Sequence, residues 1–159
     1  MKTRLTFVLA AGLLIGCAAP IEAGGGAEAA QAQGQTLSNR EVVTRFIDLF
    51  YRQGRVREAF ETYVAEDYIQ HNPLAPDGRA AAIAALEPYF ASQPNAVREV
   101  HRIIVDGDLA AVHVRVRQNA EDRGAAIVDI LRLENGRIVE HWDVFQPVPE
   151  RSANAHPMF

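Results

Sequence analysis

Cysteine is nearly absent. The 159-residue chain has one, Cys17, so no intrachain disulfide can staple a fold. Aromatic residues make up 8% of the chain with a single tryptophan, and basic residues are in no excess: 16 Lys and Arg against 20 Asp and Glu leave a net charge of -4. That balance gives a pI near 5.7 and no cationic field, and without a basic stripe or an aromatic ladder no nucleic-acid partner is expected. A nucleophile elbow, a phosphate-binding glycine loop and a dinucleotide fingerprint are all missing, which argues against covalent acyl transfer, phosphoryl transfer and nicotinamide chemistry. Neither cofactor nor metal is expected. His141 and Asp143, two apart on a strand, could offer two metal ligands with His71 or His113 as a third, but no helical ligand pair or Cys ligand strengthens that reading.

The one long apolar run lies at the start. Lys2 and Arg4 precede residues 5–15, a stretch too short to span a bilayer as a permanent helix, and it closes on Leu14, Ile15, Gly16 and Cys17. That order resembles a bacterial lipobox, so residues 1–16 read as a lipoprotein signal peptide and Cys17 as the lipidation site. The alternative is an ordinary secretory signal cut later, for example after Ala30, Gln31 and Ala32, which would leave the product secreted. Because Ala18 rather than Asp follows the cysteine, the expected address in a Gram-negative cell is the outer membrane, facing the periplasm. Residues 17–37 then form a tether of mostly Ala, Gly, Gln and Glu, with too little apolar surface to order itself.

What remains fits one domain over residues 38–150 with a tail at 151–159, large enough to hold a core unaided. Ser38 followed three residues later by Glu41 is a capping box, and Val42, Val43, Phe46, Ile47, Leu49 and Phe50 fall largely on one face of the helix it opens. Gly54 ends that helix; a second spans 56–64, and an Ala-rich third runs from Arg79 to about Phe90. Between them, residues 68–73 read as an extended segment stopped by Pro73. Past Pro94 the period becomes two, predicting strands near 97–105, 109–118, 125–133 and 137–146. Helices followed by a run of antiparallel strands define an α+β fold.

The last hairpin carries the chemistry. Its apolar strands are interrupted by ionisable residues where a core would place Val or Leu, as in a sheet that lines a pocket. With Glu134, Asn135 and Gly136 as a bulged turn, Leu133 pairs with Arg137, and Asp129 shares a face with His141 and Asp143. A two-residue turn would instead set Asp129 opposite Trp142. A carboxylate on an apolar concave face either has its pKa raised by desolvation or pairs with an imidazole, and either makes a usable general base. Asp129 is thus the candidate base, with His71 or His141 as donor or second acid. Asn72, His113, Trp142, Asp143 and Phe145 are candidate ligand contacts, His113 only if its strand turns the polar side inward. A buried polar network without catalysis accounts for the same residues equally well.

Residues 68–73 (Tyr-Ile-Gln-His-Asn-Pro), the hairpin from Val128 to Val144 and the Pro-Met-Phe ending together resemble SnoaL-like proteins of the nuclear transport factor 2-like superfamily. The resemblance implies a cone-shaped α+β barrel: three N-terminal helices on a curved antiparallel sheet enclosing a pocket, with the outer sheet surface making a homodimer. It also implies a small apolar or hydroxylated organic ligand and cyclase- or isomerase-type proton transfer without an organic cofactor. A non-catalytic envelope lipoprotein that binds a ligand or another protein is the alternative. Epoxide hydrolases of this superfamily use an Arg and an Asp two apart on an inner strand. This chain offers His113 and Arg115 on its counterpart, so their water-activating pair is not reproduced.

Overall fold

A computed structural model describes residues 36–159; the expected signal peptide, Cys17 and most of the expected tether lie outside the described residues. The order is α1 (Asn39–Ile47) running into a π turn (Asp48–Arg52), then α2 (Val56–Tyr63), β1 (Val64–Gln70), α3 (Arg79–Ala91), β2 (Val97–Asp106), β3 (Leu109–Arg117), β4 (Ala125–Glu134) and β5 (Arg137–Pro147). The capping box forms: the Glu41 amide donates to Ser38 Oγ at 3.3 Å, and the Ser38 amide donates to Glu41 Oε2 at 2.9 Å. Two donors that the first helical turn would leave unpaired are thereby satisfied. No helix among the described residues is long and apolar enough to cross a membrane.

The sheet runs β1-β5-β4-β3-β2 and is unclosed, with β1 and β2 as its edges. Four strands are antiparallel as the alternation predicts. The extended segment ahead of α3 begins earlier than expected, at Val64, and adds to β5 as a parallel edge strand. The antiparallel expectation therefore holds for β2 to β5 only.

The hairpin turn is tighter than expected. Glu134 pairs with Arg137, leaving Asn135 (φ 50) and Gly136 (φ 73) as a two-residue turn whose positive φ values match the right-handed twist of the strands. The bulge sits instead inside β5, between the pairs Leu133–Ile138 and Arg132–Glu140, so that Val139 is the extra residue. One extra residue flips the side-chain alternation. It turns Ile138 inward to full burial and restores the facing expected for Asp129, His141 and Asp143, although Asp129 now lies opposite Asp143 rather than His141.

The concave face of the sheet, with Val112, Val114, Leu131 and Leu133, packs against Val43, Phe46 and Ile47 of α1, Phe60 of α2 and Ile83 of α3. Phe50 is the hub of an aromatic cluster, 5.5 Å from Phe46, 5.6 Å from Phe60 and 4.9 Å from Phe90 between ring centroids. Ile138→Ala should cost about 2–5 kcal/mol by opening a cavity beside the bulge, and Ser38→Ala about 1 kcal/mol through the lost cap. Urea denaturation measures both, and equal losses would contradict this division between core and cap.

Candidate active site

The helices do not fill the sheet's concave side. A cavity of about 570 Å3 remains, walled mainly by apolar side chains such as Phe46, Phe50, Phe60, Leu86 and Ile127. This size suits a small organic molecule. Asp129, 7% exposed, lies in its floor, with His141 and Asp143 on the next strand.

Local geometry brings further polar groups to the same place. Tyr51 follows Ile47 by four residues, which puts it on the inner face of α1 and its π turn, and its hydroxyl donates to Asp129 Oδ2 at 2.8 Å. The strand pleat at the end of β1 sends Gln70 and Asn72 inward and His71 outward. The Asn72 amide side chain donates to both oxygens of Asp143, at 3.0 and 2.7 Å.

Hydrogen bonds fix the direction of the proton chain. Gln70 Oε1 accepts the Asn72 backbone N–H at 3.0 Å, while its Nε2 donates to the Tyr68 hydroxyl at 3.3 Å. Gln70 Oε1 is therefore an acceptor, and His141 Nδ1, 2.8 Å away, must carry a proton toward it. The other imidazole nitrogen, Nε2, stands 3.1 Å from Asp129 Oδ1, a contact that is attractive only if a proton lies between the two atoms. Asp129 and His141 thus form a proton-sharing dyad, while Tyr51 donates to the second carboxylate oxygen. Burial first, then the charge of Asp129 and the hydrogen bond to it, push the Tyr51 hydroxyl pKa well above its usual value. Tyr68 is raised as well, mainly by burial and then by Asp129 and Asp143. Both phenols therefore stay protonated at neutral pH.

Four of the expected site residues, Asn72, Asp129, His141 and Asp143, meet in this cavity. The other four do not line it. His71 stacks on Trp142 with centroids 4.5 Å apart and bonds Glu140 Oε1 at 2.7 Å, on the convex side of the sheet. Trp142 pairs with Ile130 and shares that side, so neither His71 as donor nor Trp142 as wall is placed by the fold where it was expected. His113 also faces outward, because Val112 and Val114 of β3 take the concave side. Its ring meets Arg102 Nη1 at 2.8 Å and stacks on Phe159 at 5.6 Å. Phe145 has the inward parity but lies near the end of β5, beyond the helices, and is 64% exposed. Tyr51, Tyr68 and Gln70 were overlooked, although the four-residue step from Ile47 to Tyr51 was a legible signal.

Ligand atoms of Asp129, His141 and Asp143 lie within 4.8 Å of one another, so the same trio could hold a small cation. A metal on His141 Nε2 would displace the proton shared with Asp129, and Gln70 would still orient the ring through Nδ1.

A family model described as SnoaL-like domain matches residues 43–141, and the chain belongs to that family. Among solved structures, a nuclear transport factor 2-like protein of unknown function from Mesorhizobium loti shares 28% identity at a TM-score of 0.55, over 67% of this chain and 89% of that one. A Bacillus cereus protein provisionally named a polyketide cyclase shares 23% at 0.55, over 69% and 78%. TsrD from Streptomyces laurentii shares 19% at 0.56, over 69% and 91%. At identities of this order the latter two attest the fold alone. No curated protein matches the chain significantly.

The raised tyrosine pKa values set a pH limit on the fold. Above about pH 10 the unfolded chain releases phenolic protons that the folded chain keeps, so stability falls as pH rises, by up to about 1.4 kcal/mol per pH unit for each such tyrosine. Tyr51→Phe should flatten that fall in urea titrations between about pH 9 and 11, even though its loss of the Asp129 bond lowers stability at neutral pH. An unchanged slope would contradict the protonated, buried phenol.

Proposed function

We propose that the domain binds a small, largely apolar carbonyl compound and moves a proton on it, in the manner of an isomerase or a cyclase. The observation that carries this reading is the ordered chain Gln70–His141–Asp129–Tyr51 at the floor of a mainly apolar cavity. The two oxygens of Asp129 each have their own partner, whereas a single nitrogen, Asn72 Nδ2, spans both oxygens of Asp143, a cavity-lining carboxylate with acceptor capacity to spare. Their roles divide accordingly. Asp143 takes a proton from the carbon beside the carbonyl, the C–H electron pair becomes the enol double bond, and the His141–Asp129 dyad delivers its shared proton to the carbonyl oxygen. Asp143 then gives its proton to a different carbon of the conjugated enol, or to the oxygen of a second carbonyl that the enol carbon attacks, while the enol O–H returns its proton to the dyad and the C=O re-forms; the first route completes isomerisation and the second ring closure.

Exchange of carbon-bound protons in deuterated water, followed by NMR on a bicyclic ketone such as 2-tetralone, tests the step without knowledge of the natural substrate. The native protein should accelerate exchange, and Asp143→Asn, Asp129→Asn and His141→Gln should each lower the rate by about 100-fold or more. Equal exchange in all four proteins would refute it. A second reading, a non-catalytic binding module, is favoured by one fact: the Asp129 network is complete without a ligand. It predicts binding of the ketone with exchange at the buffer rate throughout.

We further propose export as a lipoprotein carried on Cys17 and self-association through the convex sheet face. The first is supported by the N-terminal sequence, the second by Val144, an aliphatic side chain of β5 that is 60% exposed on that face. Native mass spectrometry of protein extracted from its host should give a dimer whose subunits each carry a diacylglyceryl group, lost in Cys17→Ser. An unlipidated monomer would overturn both proposals.

A further inference from the structure

Asp129, His141 and Asp143 give the cavity an acidic floor; a different side chain supplies a cation. Arg98 on β2 pairs across the sheet with Val116, which itself lines the cavity, so the pleat aims Arg98 at the concave side. It is the one Arg or Lys side chain among the described residues that lines this space. Its guanidinium carbon lies 3.9 Å from the centroid of the Phe90 ring, an arrangement that holds the planar fork in place. One of its terminal nitrogens, Nη2, is buried with no hydrogen-bond partner among the described residues.

The neighbouring acid is taken. Glu99, next in sequence, faces the other side of the sheet and engages Arg115 and Arg117. Burial lowers the pKa of the Arg98 guanidinium, and the groups that oppose this are the hydroxyls of Tyr89 and Tyr51 rather than a carboxylate. A partly buried cation with an unused fork is costly in the free protein and gains most from a planar anion that accepts two parallel hydrogen bonds.

We propose that Arg98 binds a carboxylate of the ligand, so that the cavity takes monoanionic organic acids with an apolar body: the acid group at Arg98 and the reactive carbonyl at the Asp143 end. The inference rests on the reading of this cavity as a small-molecule site. The electrostatics give the ligand one direction. Asp129 and Asp143 repel an anion from the floor, while Arg98 attracts it to the wall near Phe90 and Tyr89. In strand geometry Asp129 lies two strands over and four residues along from Arg98, and Asp143 three strands over, about 17 and about 20 Å between backbone positions on a flat sheet. The side chains take up part of that span, leaving room for a fused ring system between them.

Calorimetric titration of the folded protein with 2-naphthoate and with its neutral isostere 2-naphthamide tests the assignment. The native protein should prefer the acid by about tenfold or more. Arg98→Met, which keeps the apolar stem over Phe90, should bind the two alike with its amide affinity unchanged, and Arg98→Lys should retain part of the preference. Equal affinities in the native protein, no binding of the acid at millimolar concentration, or a preference that survives in Arg98→Met would each overturn the proposal. If Arg98→Met fails to fold, the comparison of acid with amide in the native protein still decides. Because this experiment reads binding, it stands apart from proton exchange: loss of exchange in the Asp variants with a preserved acid preference would confirm one reading independently of the other.

Discussion

Two carboxylates face one another across β4 and β5 on the concave side of the sheet, and the polar architecture of this domain follows from holding them there. Directly opposed like charges on an antiparallel pair repel, and a core of valines would be more stable. The fold offsets the repulsion with donors drawn from separate elements: Tyr51 from the π turn, His141 from β5, and Asn72 from the segment after β1. Each donor constrains its element. Gln70 and Asn72 reach the pair only because β1 lies alongside β5, and Tyr51 only because the first helix crosses the open side of the sheet.

An unfilled interior is costly in a small domain, since the cavity wall forgoes contacts that close packing would supply. Compensation comes from the aromatic cluster around Phe50, which walls the hollow, and from the packed core that includes the fully buried Val43, Val112 and Val114. The hollow is also asymmetric in charge. Acidic groups gather at one end and a single guanidinium among the described residues stands toward the other, the polarity on which the proposed ligand orientation rests.

The hairpin shows how far local reading reaches. Alternation places His141 with Asp143 on one face of β5 whatever the register, but Asp129 of β4 joins them only because the bulge at Val139 offsets the tighter turn. The pairing itself was two residues off, since the Asn-Gly turn closed more tightly and the extra residue moved to Val139. Strand parity also decided the residues that fell outside the site. His113 and Trp142 sit on strands that line the cavity, yet both point to the convex face, and His71 is one residue from each of two groups that point in.

By itself, the sequence determined what depends on neighbours along the chain: the capping box at Ser38, the apolar faces of the helices, the change from helical to alternating period after Pro94, and hence the α+β class. Only the tertiary structure decided what depends on residues far apart in the chain. It set β1 beside β5, joined Tyr51 to Asp129 across 78 residues, and turned Arg98 toward a cavity whose acids lie two and three strands away. Hydrogen bonds and charges act over a few ångströms in space, and no local spacing records which distant segments the packing of helices on a sheet will bring within that range.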